Sequence, residues 1–184
     1  MGIMLIAAMG KNREIGKAGK LIWQLKGDLK FFKEVTMRSQ GMLMGSKTFE
    51  SLPKILPGRE HYVLTKHPEE LEKIIESKEG DRNTVHVVTD LEKFISDWRE
   101  KRPETDMLCV IGGGMVYWET VKYATAMLLT EVDAEEEAAD TFFPEFDRTE
   151  WKRRVVEEHT ENGIHYTVIL YEKKGMEINL KEVL

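Results

Sequence analysis

Asp28 is the acidic side chain whose neighbours best suit chemistry. It follows a long loop carrying Trp23 and precedes Phe32 by one helical turn. A carboxylate beside aromatic rings at a pocket mouth titrates high and can hold a protonated nitrogen heterocycle. The helix dipole also favours an acid in a first turn, so Asp28 fits an ordinary capping role too. A second group suits phosphate. Residues 110–121 read VIGGGMVYWETV, three glycines between an apolar run and a helical pattern. Glycine belongs where φ must be positive or where something must come close to the main chain. Strand, glycines, helix is the layout of an anion cradle, because a helix start offers free N–H groups and partial positive charge. A plain strand-to-helix turn has the same spelling. The run is not the full dinucleotide fingerprint, since Tyr117 stands where its last glycine would be.

Two further strand ends repeat the theme. Gly45-Ser46-Lys47-Thr48 follows the apolar run GMLMG, and Thr65-Lys66 closes HYVLT. Lysine and hydroxyls suit a phosphate, although Ser46 alone reads equally as a helix N-cap. The carboxyl ends of parallel strands are where such sheets bind ligands, and three such ends on one rim reinforce one another. Arg59 follows the turn Leu56-Pro57-Gly58. A guanidinium facing a pocket there would grip a carboxylate in two-pronged fashion, while on the surface it would only solvate the turn. The five histidines, His61, His67, His86, His159 and His165, show no metal-ligand spacing, so no metal is expected. No glycine-flanked nucleophilic serine is present. Cys109, the one cysteine, lies in an apolar run and reads as a core residue.

These residues need a scaffold, and the pattern supplies one. Ile3–Met9 is a continuous apolar run, as expected of a strand covered on both faces. Residues 11–27 read as a long loop, and Asp28–Met37 as an amphipathic helix with Leu29, Phe32 and Val35/Thr36 on one face. Strands at 41–45, 61–65, 84–89, 107–111 and 126–134 alternate with helices at 46–52, 68–78, 90–101 and 115–123. Asp90 is the expected N-cap of the helix that follows it. Two extended runs then flank Asn162-Gly163, the strongest short hairpin signal. The expectation is an α/β fold: a mainly parallel twisted sheet, helices on both faces, and a C-terminal antiparallel hairpin. With 184 residues, one domain over 1–174 and a tail at 175–184 are expected.

Bulk composition narrows the partners. The net charge is −6, which disfavours a general nucleic-acid binder but leaves room for a local basic pocket. A single cysteine fits a reducing compartment. The apolar start is too short to span a bilayer and lacks a basic region before it. A cytoplasmic protein without membrane association is expected.

In order and spacing, the quoted stretches resemble dihydrofolate reductase from about residue 3 to 173. They are LIAAM, Ile15-Gly16, LIWQLKGDLKFFKEVT, MGSKTFESL, LPGR, VIGGGMVY, LLTEVDA and DTFFPEF. The resemblance implies reduction of 7,8-dihydrofolate to tetrahydrofolate with NADPH. Asp28 would pair with the pterin ring N–H and 2-amino group, with Thr130 supporting it and Trp23 beside it. Water would deliver the proton to N5. Ile6, Ala7, Leu29, Phe32, Leu52, Leu56 and Ile111 would line the pterin and benzoyl pocket. Arg59 would bind the α-carboxylate of the folate glutamate. Ala8, Ile15, Gly16 and Thr48 would border the nicotinamide. Lys47, Thr65 and Lys66 would meet the adenosine 2′-phosphate end, and Gly45, Ser46 and Leu64 would be further cofactor-binding residues. Gly113, Gly114, Met115, Val116 and Tyr117 would lie along the pyrophosphate and ribose. A cis peptide between the first two glycines, a monomer, and antifolates as further ligands are implied as well.

Four positions depart from the family pattern. Ile22 and Lys26 stand where prolines are usual, which frees the loop between them. Ser46 and Met115 stand where basic residues are usual, which weakens the case for 2′-phosphate binding. A pyrimidine reductase of riboflavin synthesis shares the general fold and is an alternative. So is a catalytically silent nucleotide or folate binder. Arg59 and the Trp23/Asp28/Phe32 group favour folate.

Overall fold

Apolar runs without polar interruption form the middle of the sheet. The computed structural model describes residues 2–103 and 105–176. In chain order, Gly2–Met9 forms β1, Glu14–Lys17 β2, Lys20–Leu21 β3, Lys26–Arg38 α1, Gly41–Gly45 β4 and Ser46–Ser51 α2. His61–Leu64 forms β5, Pro68–Ser77 α3, Val85–Val88 β6, Leu91–Lys101 α4, Met107–Val110 β7 and Gly114–Thr120 α5. Ala126–Val132 is β8, Thr141–Phe142 β9, Trp151–Glu161 β10 and Ile164–Lys173 β11. An eight-stranded sheet runs β10-β11-β8-β1-β7-β4-β5-β6. Its six strands from β8 to β6 are parallel, and β11 pairs antiparallel with β8 and with β10. This is the expected α/β architecture with its antiparallel edge.

Alternation along the central strands sends side chains to two faces. Ile3, Leu5 and Met9 of β1 join a core with Leu91, Ile95 and Trp98 of α4 and Val116 and Tyr117 of α5. Met4 and Ile6 of the same strand join Val35 of α1. In β4, Leu43 faces the first core, while Met42 and Met44 pack with Phe49 and Leu71. Each fully buried aliphatic side chain contributes about 1.5–3 kcal/mol, so both faces hold the strand ends in place. Asp90 caps α4, its side chain accepting the Lys93 N–H at 2.9 Å. Asn162 and Gly163 take φ 52° and 78°, as a two-residue primed turn requires.

Three local expectations are corrected. Residues 11–27 are not all loop: β2 pairs with β3 and with β9 in a second, three-stranded sheet. Helix α1 begins at Lys26, two residues before Asp28, because the Leu25 carbonyl already accepts the Leu29 N–H. Ser46 is not the cap of α2; Gly45 is, without a side-chain cap bond. The expected tail falls mostly on residues 177–184, which lie outside the described residues.

Candidate active site

Asp28 sits in the first turn of α1, half-buried, and accepts a hydrogen bond at Oδ1 from the Thr130 hydroxyl of β8. Burial pushes its carboxyl above the ordinary value. The Thr130 hydroxyl pulls the other way, and the charge of Glu161 adds to the rise. Tyr117 lies across the strand ends and donates to the Ile6 carbonyl at 2.5 Å. Ala8 pairs directly with Thr130 in the β1–β8 register. The acid is therefore fixed to the sheet at the carboxyl end of β8 and β1.

Moving along the same rim, the next strand ends bring the other candidates together. Strand β7 leads into Ile111 and the glycines, β4 into Gly45–Thr48, and β5 into Thr65-Lys66. The Gly45 N–H donates to the Gly112 carbonyl at 2.8 Å, tying two of these ends. Gly45 pairs with Leu64 in register, which puts Ser46-Lys47 beside Thr65-Lys66. Four strand spacings separate β8 from β5, about 19 Å at 4.7–4.9 Å each. An acid thus stands at one end of the rim and lysines at the other. The Gly112–Gly113 peptide is cis. Gly112 has φ 109°, and a Cβ there would lie 3.0 Å from the Tyr117 ring, so only glycine fits. Lys47 and Lys66 are exposed, Ser46 and Thr48 half-buried, and Thr65 buried with its hydroxyl accepting the His67 N–H at 3.0 Å. Val116 and Tyr117 turn their side chains into the core, leaving backbone for any ligand, and Met115 is 70% exposed. Gly114 opens α5, and Gly113 caps it. Ile15 is buried in the first core and Gly16 lies beside it in β2.

Most of the apolar candidates form a wall that includes Phe32, one turn after Asp28 on α1. Phe32 and Ile111 bridge two clusters, one holding Ile6 and Val35, the other bordered by Leu52 and Leu56. Ala7 packs against the opposite core. Leu29 is 46% exposed and joins none of these clusters. Arg59 is buried at 7% exposure, its Nη1 donating to Thr36 Oγ1 at 3.2 Å and its Nε to the Pro57 carbonyl at 3.4 Å. Burial alone lowers its pKa, and no carboxylate pairs with it among the described residues. A guanidinium keeps its charge and carries five donors, so Arg59 retains capacity for an anion.

His61 holds this wall and was not singled out by sequence. Its Nε2 accepts the Leu56 N–H at 3.1 Å, which requires a neutral ring. Burial pushes it below the ordinary histidine value, while the Thr84 carbonyl pulls it up and the charge of Arg59 pushes it down. A base with a depressed folded pKa stabilises fully above the unfolded value of 6.5 and loses that contribution as pH falls towards the folded value. Wild-type stability is expected to drop over that window. His61→Gln should flatten the dependence and cost about 1 kcal/mol at neutral pH. Denaturant midpoints against pH check this, and parallel curves for both proteins would refute it.

Trp23 and Glu14 fix the loop beside the acid. Trp23 is buried among Leu25, Val132 and Tyr166, and its Nε1 donates to the Glu14 carbonyl at 2.8 Å. Glu14 is buried although charged. Burial raises its carboxyl, but N–H groups of Glu14 itself, Asn12 and Glu136 outweigh it and leave the value lowered. No motif marks Glu14, because most of its partners are backbone donors. Cys109 is buried, and burial pushes its thiol up to about 12, which makes it inert. Among the described residues, no group of three or more His, Cys, Asp or Glu side chains is placed to hold a metal ion, and no helix is long and apolar enough to cross a membrane. Two open surface hollows, about 320 and 310 Å³, share no residue with the Asp28 group.

The family model described as dihydrofolate reductase matches residues 2–173. The chain is 35% identical over 176 residues to a dihydrofolate reductase of Bacillus subtilis (strain 168), covering 94% of this chain and 95% of that one. It is 34% identical over 175 residues to a dihydrofolate reductase of Haloferax volcanii, covering 93% and 83%. It is 31% identical over 172 residues to a dihydrofolate reductase of Neisseria gonorrhoeae, covering 92% and 96%. By the match over residues 2–173 and the identity to these relatives, this chain belongs to the dihydrofolate reductase family.

Proposed function

We propose that this enzyme reduces 7,8-dihydrofolate to tetrahydrofolate with NADPH, with Asp28 as the group that holds the pterin. The observation that carries this is the half-buried Asp28 carboxyl fixed by Thr130. In a site of reduced polarity, such a carboxyl binds a protonated heterocycle far better than a neutral one. Asp28 accepts from the pterin ring N–H and 2-amino group, and this favours protonation at N5, with water as the source. Thr130 keeps the carboxyl oriented by donating to one oxygen. Phe32, Ile111, Leu52 and Leu56 exclude water from the pterin and benzoyl rings, with Ile6, Ala7 and Leu29 completing the pocket. Arg59 takes the folate α-carboxylate.

The residues present fit a nicotinamide dinucleotide. Bare backbone lines the rim at Gly45 and Gly113, where a Cβ would lie 3.2 Å from Val116 Cγ2 and 3.3 Å from Thr48 Oγ1. When bound, the reduced nicotinamide supplies hydride to C6 of the pterin. Ala8, Ile15, Gly16 and Thr48 would border that ring. Backbone of Gly113 to Tyr117 would follow the pyrophosphate and ribose, and Ser46, Lys47, Thr65 and Lys66 would hold the 2′-phosphate end. Two lysines on adjacent strand ends support NADPH over NADH. Lys47→Ala with Lys66→Ala is expected to lower kcat/KM for NADPH about tenfold or more and to leave that for NADH nearly unchanged. Equal kcat/KM for the two cofactors in the wild type would show that these lysines do not read the phosphate.

We take residues 1–174 as one domain acting as a cytoplasmic monomer, with antifolates competing at the pterin pocket. The test is the loss of reduced-nicotinamide absorbance with dihydrofolate present. Cofactor binding without turnover would favour a silent binder. Turnover of a ribosylated pyrimidine instead of dihydrofolate would favour the riboflavin-pathway reductase, a reading that leaves the buried Arg59 without a role.

A further inference from the structure

The helix that carries Asp28 begins without a cap of its own. Leu25 occupies the cap position and makes no side-chain cap bond. The first N–H groups of a helix lack internal partners and must find them elsewhere. Here they find them on the C-terminal hairpin. Glu161, the last residue of β10, accepts the Lys26 N–H at 2.9 Å with one carboxylate oxygen and the Gly27 N–H at 3.1 Å with the other. Tyr166 of β11, buried, presses its hydroxyl against the same turn: a Cβ on Gly27 would lie 2.3 Å from it. That contact excludes any side chain at 27 unless the Tyr166 side chain or the helix shifts. The first turn of α1 is thus clamped by two hairpin residues more than 130 positions away.

The clamp depends on a particular residue. Lys26 stands where the family usually has proline, and proline has no N–H to offer Glu161. We propose that Glu161 is a positioning residue for the reductase: by bridging the Lys26 and Gly27 N–H groups it ties the turn bearing Asp28 to the β10–β11 hairpin and holds the Asp28 carboxyl in register with Thr130. This rests on the assignment of Asp28 to the pterin. The charges around the pair are known. Lys26 and His159 face Glu161, and Thr130, Tyr117, Tyr166 and Glu161 face Asp28. The Glu161 carboxylate repels charge on Asp28 and so favours the proton shared by Asp28 and the pterin.

Glu161→Ala and Glu161→Gln test this with dihydrofolate and NADPH, with thermal melts to show that each variant is folded. Glu161→Ala removes both acceptors and is expected to lower kcat/KM about tenfold or more, chiefly through kcat, because a carboxyl out of register costs rate before binding. Glu161→Gln keeps an acceptor oxygen and should recover much of that rate, with its pH profile moved to lower pH because the repelling charge is gone. A merely structural role would lower melting temperature in both variants and leave the pH profile of the folded fraction where it was. Wild-type kcat/KM and profile in both variants would overturn the proposal and leave the function intact. Absence of turnover in the wild type itself would overturn the function, and the role of Glu161 with it.

Discussion

Asp28→Asn is expected to lose at least about 100-fold in kcat/KM at neutral pH, the lower range for loss of a positioned acid–base group. The change is nearly isosteric. Asn Oδ1 can still accept from Thr130, so the local geometry should survive, and NADPH should bind as in the wild type. Stability should stay level or rise. Burial raises the Asp28 carboxyl above its ordinary 3.8, so the folded protein binds this proton more tightly than the unfolded chain does. An acid with a raised folded pKa loses stability as pH climbs from about 3.8 through the folded value, and above that window the charged form carries the full cost of burial. The amide never carries it. Steady-state kinetics, cofactor titration and a thermal melt on one preparation check all three expectations. An inactive variant that also fails to bind cofactor or to fold would mean that Asp28 is a structural acid.

The second large effect concerns Arg59. A buried guanidinium with two donors spent on Thr36 and Pro57, and no carboxylate partner among the described residues, is costly to keep. Binding of the folate α-carboxylate, as proposed, would offset that cost. Arg59→Met is expected to raise KM for dihydrofolate about 10- to 100-fold, as loss of charge-assisted hydrogen bonds worth about 1.5–3 kcal/mol requires. For a reduced pteridine lacking the glutamate, KM should hardly change. The melting temperature should hold or rise, because an apolar side chain of similar length replaces a buried charge. An equal rise in KM for both substrates would mean that Arg59 only shapes the wall, through Thr36 and the turn at Pro57.

What the sequence made legible follows from where the information sits. Apolar runs, the Asp90 cap and the Asn162-Gly163 turn are encoded within a few residues, and the structure has each of them. The grouping of Gly45–Thr48, Thr65-Lys66 and the glycine run needed only one inference, that parallel strands end on a common rim. The small sheet was hidden because β2 and β3 are two to four residues long and β9 joins them from position 141. No local period marks such a pairing. Glu14, His61 and Glu161 were hidden for another reason. Each satisfies backbone N–H groups, and backbone donors leave no trace in residue type. Even Asp28 was read slightly off, as the opening residue of its helix, because Glu161 supplies from a distance the cap that the local sequence lacks.

The single-turnover rate of hydride transfer, followed from mildly acidic to mildly alkaline pH in the wild type and in Asp28→Asn, puts the role of the acid to the most direct test. The wild-type rate should fall as pH rises through a midpoint above the ordinary carboxylate value, while the variant should be slow and lack that midpoint. The same midpoint in both proteins would assign the proton to some other group and remove Asp28 from the chemistry.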